Sequence, residues 1–147
     1  MSIETLFRFI HSWNRWLLVA VAVVAVLYFA WGWLQGQAWT KRGQTLLTAF
    51  SSLIGVQWIL GVILLISLAD VTGLSVRHYW EHLTVQTIAL GVAHMHMGWR
   101  KKDFDDKTRY KRGLLLIIGV LLLIVIGIMI LPEAMQWRMM SLDTLDT

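Results

Sequence analysis

The chain has 147 residues, of which 57% are hydrophobic and 15% charged, and a formal net charge of +4. Soluble domains carry about 25% charged residues, so this balance excludes an ordinary water-facing domain and makes lipid the expected solvent. The absence of cysteine excludes disulfides, thiolate metal sites, iron–sulfur clusters and covalently attached c-type haem, and leaves the redox compartment unreadable from thiols.

A hydrocarbon core about 30 Å thick needs about 20 mostly apolar residues per helix. Four stretches meet that need and predict transmembrane helices over 10–34, 45–69, 79–99 and 113–132. The first is almost uninterrupted from Trp16 to Leu34, lacks the pattern of a cleaved signal peptide, and reads as a retained span. The second contains Ser51, Ser52, Gln57 and Ser67 but no charge. The third is the most polar, with Glu81, His82, Gln86, His94 and His96. The fourth has no charged or amide side chain from Leu114 to Leu131 and is closed by Pro132. The tail over 133–147 is mildly amphipathic through Met135, Trp137, Met139 and Met140, and is expected along the outer membrane surface.

The connections, over 35–44, 70–78 and 100–112, are short enough to make neighbouring helices antiparallel. The expected fold is therefore all-α: one integral membrane domain, an up-down-up-down bundle of four transmembrane helices. Lys41 and Arg42 fall on the same side as Arg100, Lys101, Lys102, Lys107, Arg109, Lys111 and Arg112, against Arg8, Arg15, Arg77 and Arg138 on the other. Cytoplasmic loops retain positive charge, so both termini are expected to be extracytoplasmic. Asp103, Asp105 and Asp106 interrupt the basic run and no stacking platform accompanies it, which argues against nucleic acid and for attraction to anionic lipid head groups in the bilayer. Tryptophans such as Trp13, Trp31, Trp80 and Trp99 suit the head-group region. Ser51, Gly55, Gly61, Gly119 and Gly127 are small enough for helices to approach closely.

Ionisable groups inside a span are costly unless they find partners, so the histidines are the candidate functional residues. At about 100° per residue, His78, His82, Gln86, Ala89, Ala93 and His96 share one narrow face of the third helix. His11 lies near the outer end of the first helix, with Arg15 one turn deeper. His11 and His82 are thus expected at matched depth, on helices able to face each other across the bundle. Two imidazoles so placed are what axial ligation of a b-type haem requires. Leu18, Ala22 and Ala25 on the same face would leave room for a flat cofactor, and Arg15, with Arg8 or Arg77, could pair with its propionates. No histidine near the inner end of another helix could join His94 or His96 in holding a second haem, and the roles of those two stay open. Gln57 and Gln86 are candidate contacts to a quinone or other ligand, Gln57 equally a plain interhelical hydrogen bond. Three alternatives to haem remain at this point: polar packing within a cofactor-free scaffold or assembly subunit, a bare metal site of His11, His78 and His82, and a pigment site.

These residues form a pattern: His11-Ser12-Trp13-Asn14-Arg15-Trp16, then Gln57 with Gly61, then Arg77 with Glu81-His82, then a histidine shortly before Gly98 and a basic stretch. The pattern resembles a family of small bacterial four-helix membrane proteins described as cytochrome b-like, over about residues 8 to 132. It is more distantly similar to the membrane-bound b-type cytochromes that link periplasmic oxidoreductases to quinones. The resemblance implies a multi-pass protein of the bacterial inner membrane that passes electrons between quinol and other membrane or periplasmic redox subunits. It also implies haem b with His11 and His82 as axial ligands and Arg15 as a propionate or structural partner. Because the sequence shows no soluble domain, a non-catalytic electron-transfer or accessory subunit is expected over an enzyme. The sequence departs from those cytochromes in having ligands for one haem where they hold two. His94-Met95-His96 also offers two candidates for one family position.

Overall fold

In a computed structural model, which describes residues 3–72 and 76–137, helix α1 spans Ile3–Leu34 and α2 Lys41–Thr72. They are followed by α3 (Arg77–His94), a single turn α4 (His96–Trp99), α5 (Asp106–Met129) and a 3-10 turn at Glu133–Met135. There is no strand among the described residues. Met139, Met140 and Arg138 of the tail lie outside them.

Three of these helices, over Thr5–Leu34, Lys41–Ser67 and Asp106–Met129, are long and apolar enough to cross a membrane. Their outward faces carry large apolar side chains such as Leu27, Trp31, Ile59, Ile66, Leu115 and Leu122, which stand exposed on the isolated chain. That surface suits a bilayer and not water.

Local signals set the helix ends, at Leu34 where the sequence expectation placed it and at other ends where it did not. Helix α1 stops where Gly36 adopts φ 60°, a left-handed conformation natural to glycine. There the Gln37 amide reaches back to the Gly32 carbonyl at 3.0 Å. Helix α5 starts at Asp106, well before the expected 113, because the Asp105 side chain accepts a hydrogen bond from the Thr108 amide at 3.0 Å. The Thr108 side chain, and with it the Thr108 amide, holds the Asp105 carboxyl below its ordinary range by hydrogen bonding. Consequently Lys107, Arg109, Lys111 and Arg112 ride on the first turns of α5 and not in a loop. The third segment is not one regular helix either. At Met95 the backbone stays right-handed helical but the hydrogen bonds tighten, from the Met95 amide to the Val92 carbonyl and from Gly98 to Met95.

The four long helices form a ring in which α1 packs on α2 and α5, and α3 packs on the same two from the other side. Helices α1 and α3 thus stand on a diagonal with scarcely any direct packing. At the Tyr110 end the ring is tightly filled by Tyr28, Phe29, Trp39 and Tyr110, whose ring centroids lie 5.1 to 6.1 Å apart. Glycine makes room there: a Cβ on Gly113 would come within 2.6 Å of Phe29, and one on Gly32 would collide with Tyr110. Mid-bundle, Ala22, Ala25, Phe50, Ala89, Ala93, Ile117 and Val120 are fully buried. Ala22 and Ala25 therefore fill core and leave no slot for a cofactor, contrary to the sequence expectation; only Leu18 of that trio borders open space. Of the glycines expected to mediate close approach, Gly61 and Gly127 do, whereas a Cβ on Gly119 would meet nothing within 4 Å.

Gly113→Leu should therefore lower stability by about 1–3 kcal/mol through overpacking against Phe29. Gly119→Leu should leave it nearly unchanged. Unfolding midpoints of the two variants in a denaturing-detergent titration check the contrast.

Candidate functional site

Away from the aromatic end, the diagonal between α1 and α3 opens into a cavity of about 180 Å³. All four long helices line it. Helix α1 contributes His11, Arg15 and Leu18, α2 contributes Gln57, Trp58 and Gly61, α3 contributes Tyr79, His82 and Gln86, and α5 contributes Ile124 and Ile128. Leu131 and Met135, just past α5, complete the wall, with the Tyr79 hydroxyl donating to Met135 Sδ at 3.8 Å. The wall is mostly apolar, contains no carboxylate among the described residues and presents a few polar groups, the usual constitution of a small-molecule or cofactor site.

The orientation of His11 follows from a chain of hydrogen bonds that starts on the backbone. Asn14 Nδ2 donates to the Leu53 carbonyl at 3.2 Å and to Gln57 Oε1 at 2.8 Å. With its oxygen so engaged, Gln57 turns its Nε2 towards His11 Nε2, 3.0 Å away. An amide NH₂ can only donate, so His11 Nε2 accepts and the ring proton sits on Nδ1. That Nδ1 is buried and has no hydrogen-bond partner. Gly61 lies against this ring, where a Cβ would stand 3.4 Å from His11 Cε1, in close van der Waals contact.

His82 is set in the complementary way. Its Nδ1 lies 2.6 Å from the Gly127 carbonyl oxygen, which can only accept, so Nδ1 carries a proton and, in the neutral ring, Nε2 keeps its lone pair. Among the described residues nothing hydrogen-bonds that Nε2. A backbone carbonyl on one nitrogen and a free lone pair on the other is the posture of a metal-binding histidine. Beside it, Gln86 Nε2 makes only a long contact of 3.5 Å with the Ile124 carbonyl.

The two imidazoles suit a haem iron to different degrees. His82 fits as it stands. His11 fits through Nε2 once the Gln57 side chain turns away from that nitrogen. Arg15, on the same wall, has the charge to meet a propionate.

Other expected site residues go elsewhere. Arg77 is exposed and paired with Glu81 at 2.5 Å, and neither it nor Arg8 is on the cavity wall. His78 sits in the first turn of α3 with its ring against Tyr79, and its Nε2 is buried without a hydrogen-bond partner. Among the described residues no three histidine, cysteine, aspartate or glutamate side chains gather into a metal-binding group, so His11, His78 and His82 do not make the three-imidazole site. His96 is buried at the opposite end with both nitrogens engaged, Nδ1 3.1 Å from Gln44 Nε2 and Nε2 3.1 Å from Ser51 Oγ. His94 contacts its own helix at the Leu90 carbonyl, 2.9 Å away. Sequence reasoning missed Asn14, which orients the whole chain of hydrogen bonds. An amide one turn below His11 and on the same helix face was the available signal.

Gln57→Leu should lower stability by about 1–2 kcal/mol, because it strips partners from both Asn14 and His11 in apolar surroundings. Asn14→Leu combined with it should cost little more, a non-additivity that a double-mutant cycle of unfolding midpoints reads directly. No protein family, no characterised protein and no solved structure matches the chain.

Proposed function

We propose that this chain is a four-span membrane subunit, cytochrome b-like, that holds one haem b between His11 and His82 and passes electrons between quinol and a partner redox subunit. The observation that carries the reading is the pairing itself. Two imidazoles from diagonally opposed helices line one cavity, and each keeps one nitrogen on a protein partner and the other free of one.

The fourth span is α3 with α4. At about 1.5 Å per residue, residues 77 to 99 cover roughly 34 Å, enough for a hydrocarbon core. Their polar groups turn to the bundle: His82 and Gln86 to the cavity, and His96 to Gln44 and Ser51. Thr84 and Thr87 return their hydroxyls to carbonyls one turn back, at 2.8 Å each. Lys41, Arg42 and the basic residues from Arg100 to Arg112 gather at one end, which supports a cytoplasmic position for that end and an extracytoplasmic one for the cavity.

A bound haem would supply one-electron chemistry that the chain's own side chains lack. His82 would offer its Nε2 with Gly127 holding the ring, and His11 would offer Nε2 in place of its bond to Gln57. Arg15 would balance negative charge, and the apolar wall would exclude water.

One observation favours a second occupant, a quinone head group. His11 presents an N–H without an acceptor while His82 presents a lone pair, which together match one carbonyl and one hydroxyl across a partly reduced quinone ring.

Protein expressed with haem supply and purified in detergent should show sharp b-type bands in reduced-minus-oxidised absorbance, lost in His11→Ala and in His82→Ala. Well-folded protein without such bands sinks the haem reading. Gln57→Leu separates the two occupants: haem binding through His11 Nε2 survives it, whereas quinone binding through His11 Nδ1–H weakens as the tautomer loses its anchor. For topology, the cysteine-free chain allows single cysteines at Ala38, Asp103 and Ala134. An impermeant maleimide added outside intact spheroplasts should label only Ala134→Cys; labelling at either of the other two overturns the four-span arrangement.

A further inference from the structure

At the end of the bundle opposite His11 and His82, three guanidinium groups border one small pocket. Arg100 follows α4, Arg109 and Arg112 lie on the first turns of α5, and Trp39, Trp99 and Gln44 share the wall. The pocket is a small cleft of about 20 Å³, and among the described residues no carboxylate lines it. Among the described residues none of the three arginines forms an ion pair, although Asp103, Asp105 and Asp106 are their neighbours in sequence. Asp105 is instead committed to capping α5.

Two of the guanidiniums are held in place by the protein itself. Arg109 donates through Nε to the Phe104 carbonyl at 2.8 Å and through Nη2 to the Lys102 carbonyl at 3.2 Å, leaving Nη1 uncommitted. Arg112 stacks over Phe104 at 3.8 Å and faces Trp99 at 5.6 Å, which fixes its plane and leaves its edge donors free. Stacking and carbonyl bonds remove side-chain freedom before any ligand arrives, and planar guanidinium forks match phosphate oxygens.

We propose that this pocket binds the phosphate of an anionic phospholipid head group. Lipid is favoured over a free anion because the wall itself is partly apolar, with Trp39, Leu47, Trp99 and Phe104 beside the arginines. Met95 and Met97, the sequence neighbours of His96 on that wall, are exposed. Tryptophans also mark this as head-group depth, and basic pockets between transmembrane helices suit such lipids.

The test uses the full chain in an uncharged detergent, following tryptophan fluorescence during titration with dihexanoyl-phosphatidylglycerol, dihexanoyl-phosphatidylcholine or inorganic phosphate. Phosphatidylglycerol should bind saturably, phosphatidylcholine and inorganic phosphate far more weakly. The double variant Arg100→Gln/Arg112→Gln should bind phosphatidylglycerol roughly thirtyfold more weakly. Lys101→Gln/Lys107→Gln, which removes the same charge outside the pocket, should bind nearly as the parent does. Because Arg112 also packs on aromatic rings, Arg100→Gln alone is a second probe with no packing to lose, expected to weaken binding about fivefold. Equal losses in the arginine and lysine pairs would reduce the effect to diffuse attraction and overturn the proposal. So would phosphatidylcholine binding as tightly as phosphatidylglycerol. Variant-sensitive binding of inorganic phosphate as tight as that of the lipid would make the occupant a free anion, overturning the lipid assignment.

Discussion

Polar groups carried into apolar surroundings must be satisfied there, and in this bundle that requirement is met by one connected set. The Leu53 carbonyl holds Asn14, Asn14 holds Gln57, and Gln57 holds His11. Each step fixes which atom faces the next, so a backbone carbonyl of α2 determines the tautomer of an imidazole on α1. On the other side of the cavity the Gly127 carbonyl of α5 does the same for His82. Two histidines with differently engaged nitrogens therefore line one space, and neither depends on a loop for its orientation. Sites built on helices in this way keep their geometry when the surface moves.

The two ends of the bundle divide the work. Near Tyr110, aromatic rings and the glycines opposite them fill the space between helices, and the Tyr110 hydroxyl donates to the Ala38 carbonyl at 3.2 Å to pin the α1–α2 connection. At the His11 end the diagonal helices stay apart, and the side chains between them do not fill the gap. A tightly packed end makes an open end tolerable, because the first holds the helix spacing that the second needs. Gln86 shows the tension: its amide presses against Gly127, the only residue type that leaves it room.

Electrostatics follow the same axis. Among the described residues the cavity wall has Arg15 and two histidines but no acid, and the far pocket has three arginines and no acid. Near that pocket Asp105 is spent on helix capping, and Arg77 at the other end is paired on the surface with Glu81. Both concave features thus carry positive charge, suited to the propionates of a haem at one end and to lipid phosphate at the other.

The all-helical, membrane-suited character was legible in the sequence, because apolar runs near 20 residues seldom occur in water-soluble folds. So was the inward polar stripe of His82, Gln86, Ala89, Ala93 and His96, because helical period alone assigns a face. That His11 and His82 line one space could be read from their matched depth. The sequence could not say that Ala22 and Ala25 close the core below them, that Arg77 turns to Glu81, or that α5 begins at Asp106. Those outcomes depend on which side chains meet across helices and on one capping bond. Only the packed tertiary arrangement decided where space remained between the diagonal helices and which nitrogen of each imidazole is held by a protein partner, since cavities and hydrogen-bond partners are set by neighbours that sequence spacing does not bring together.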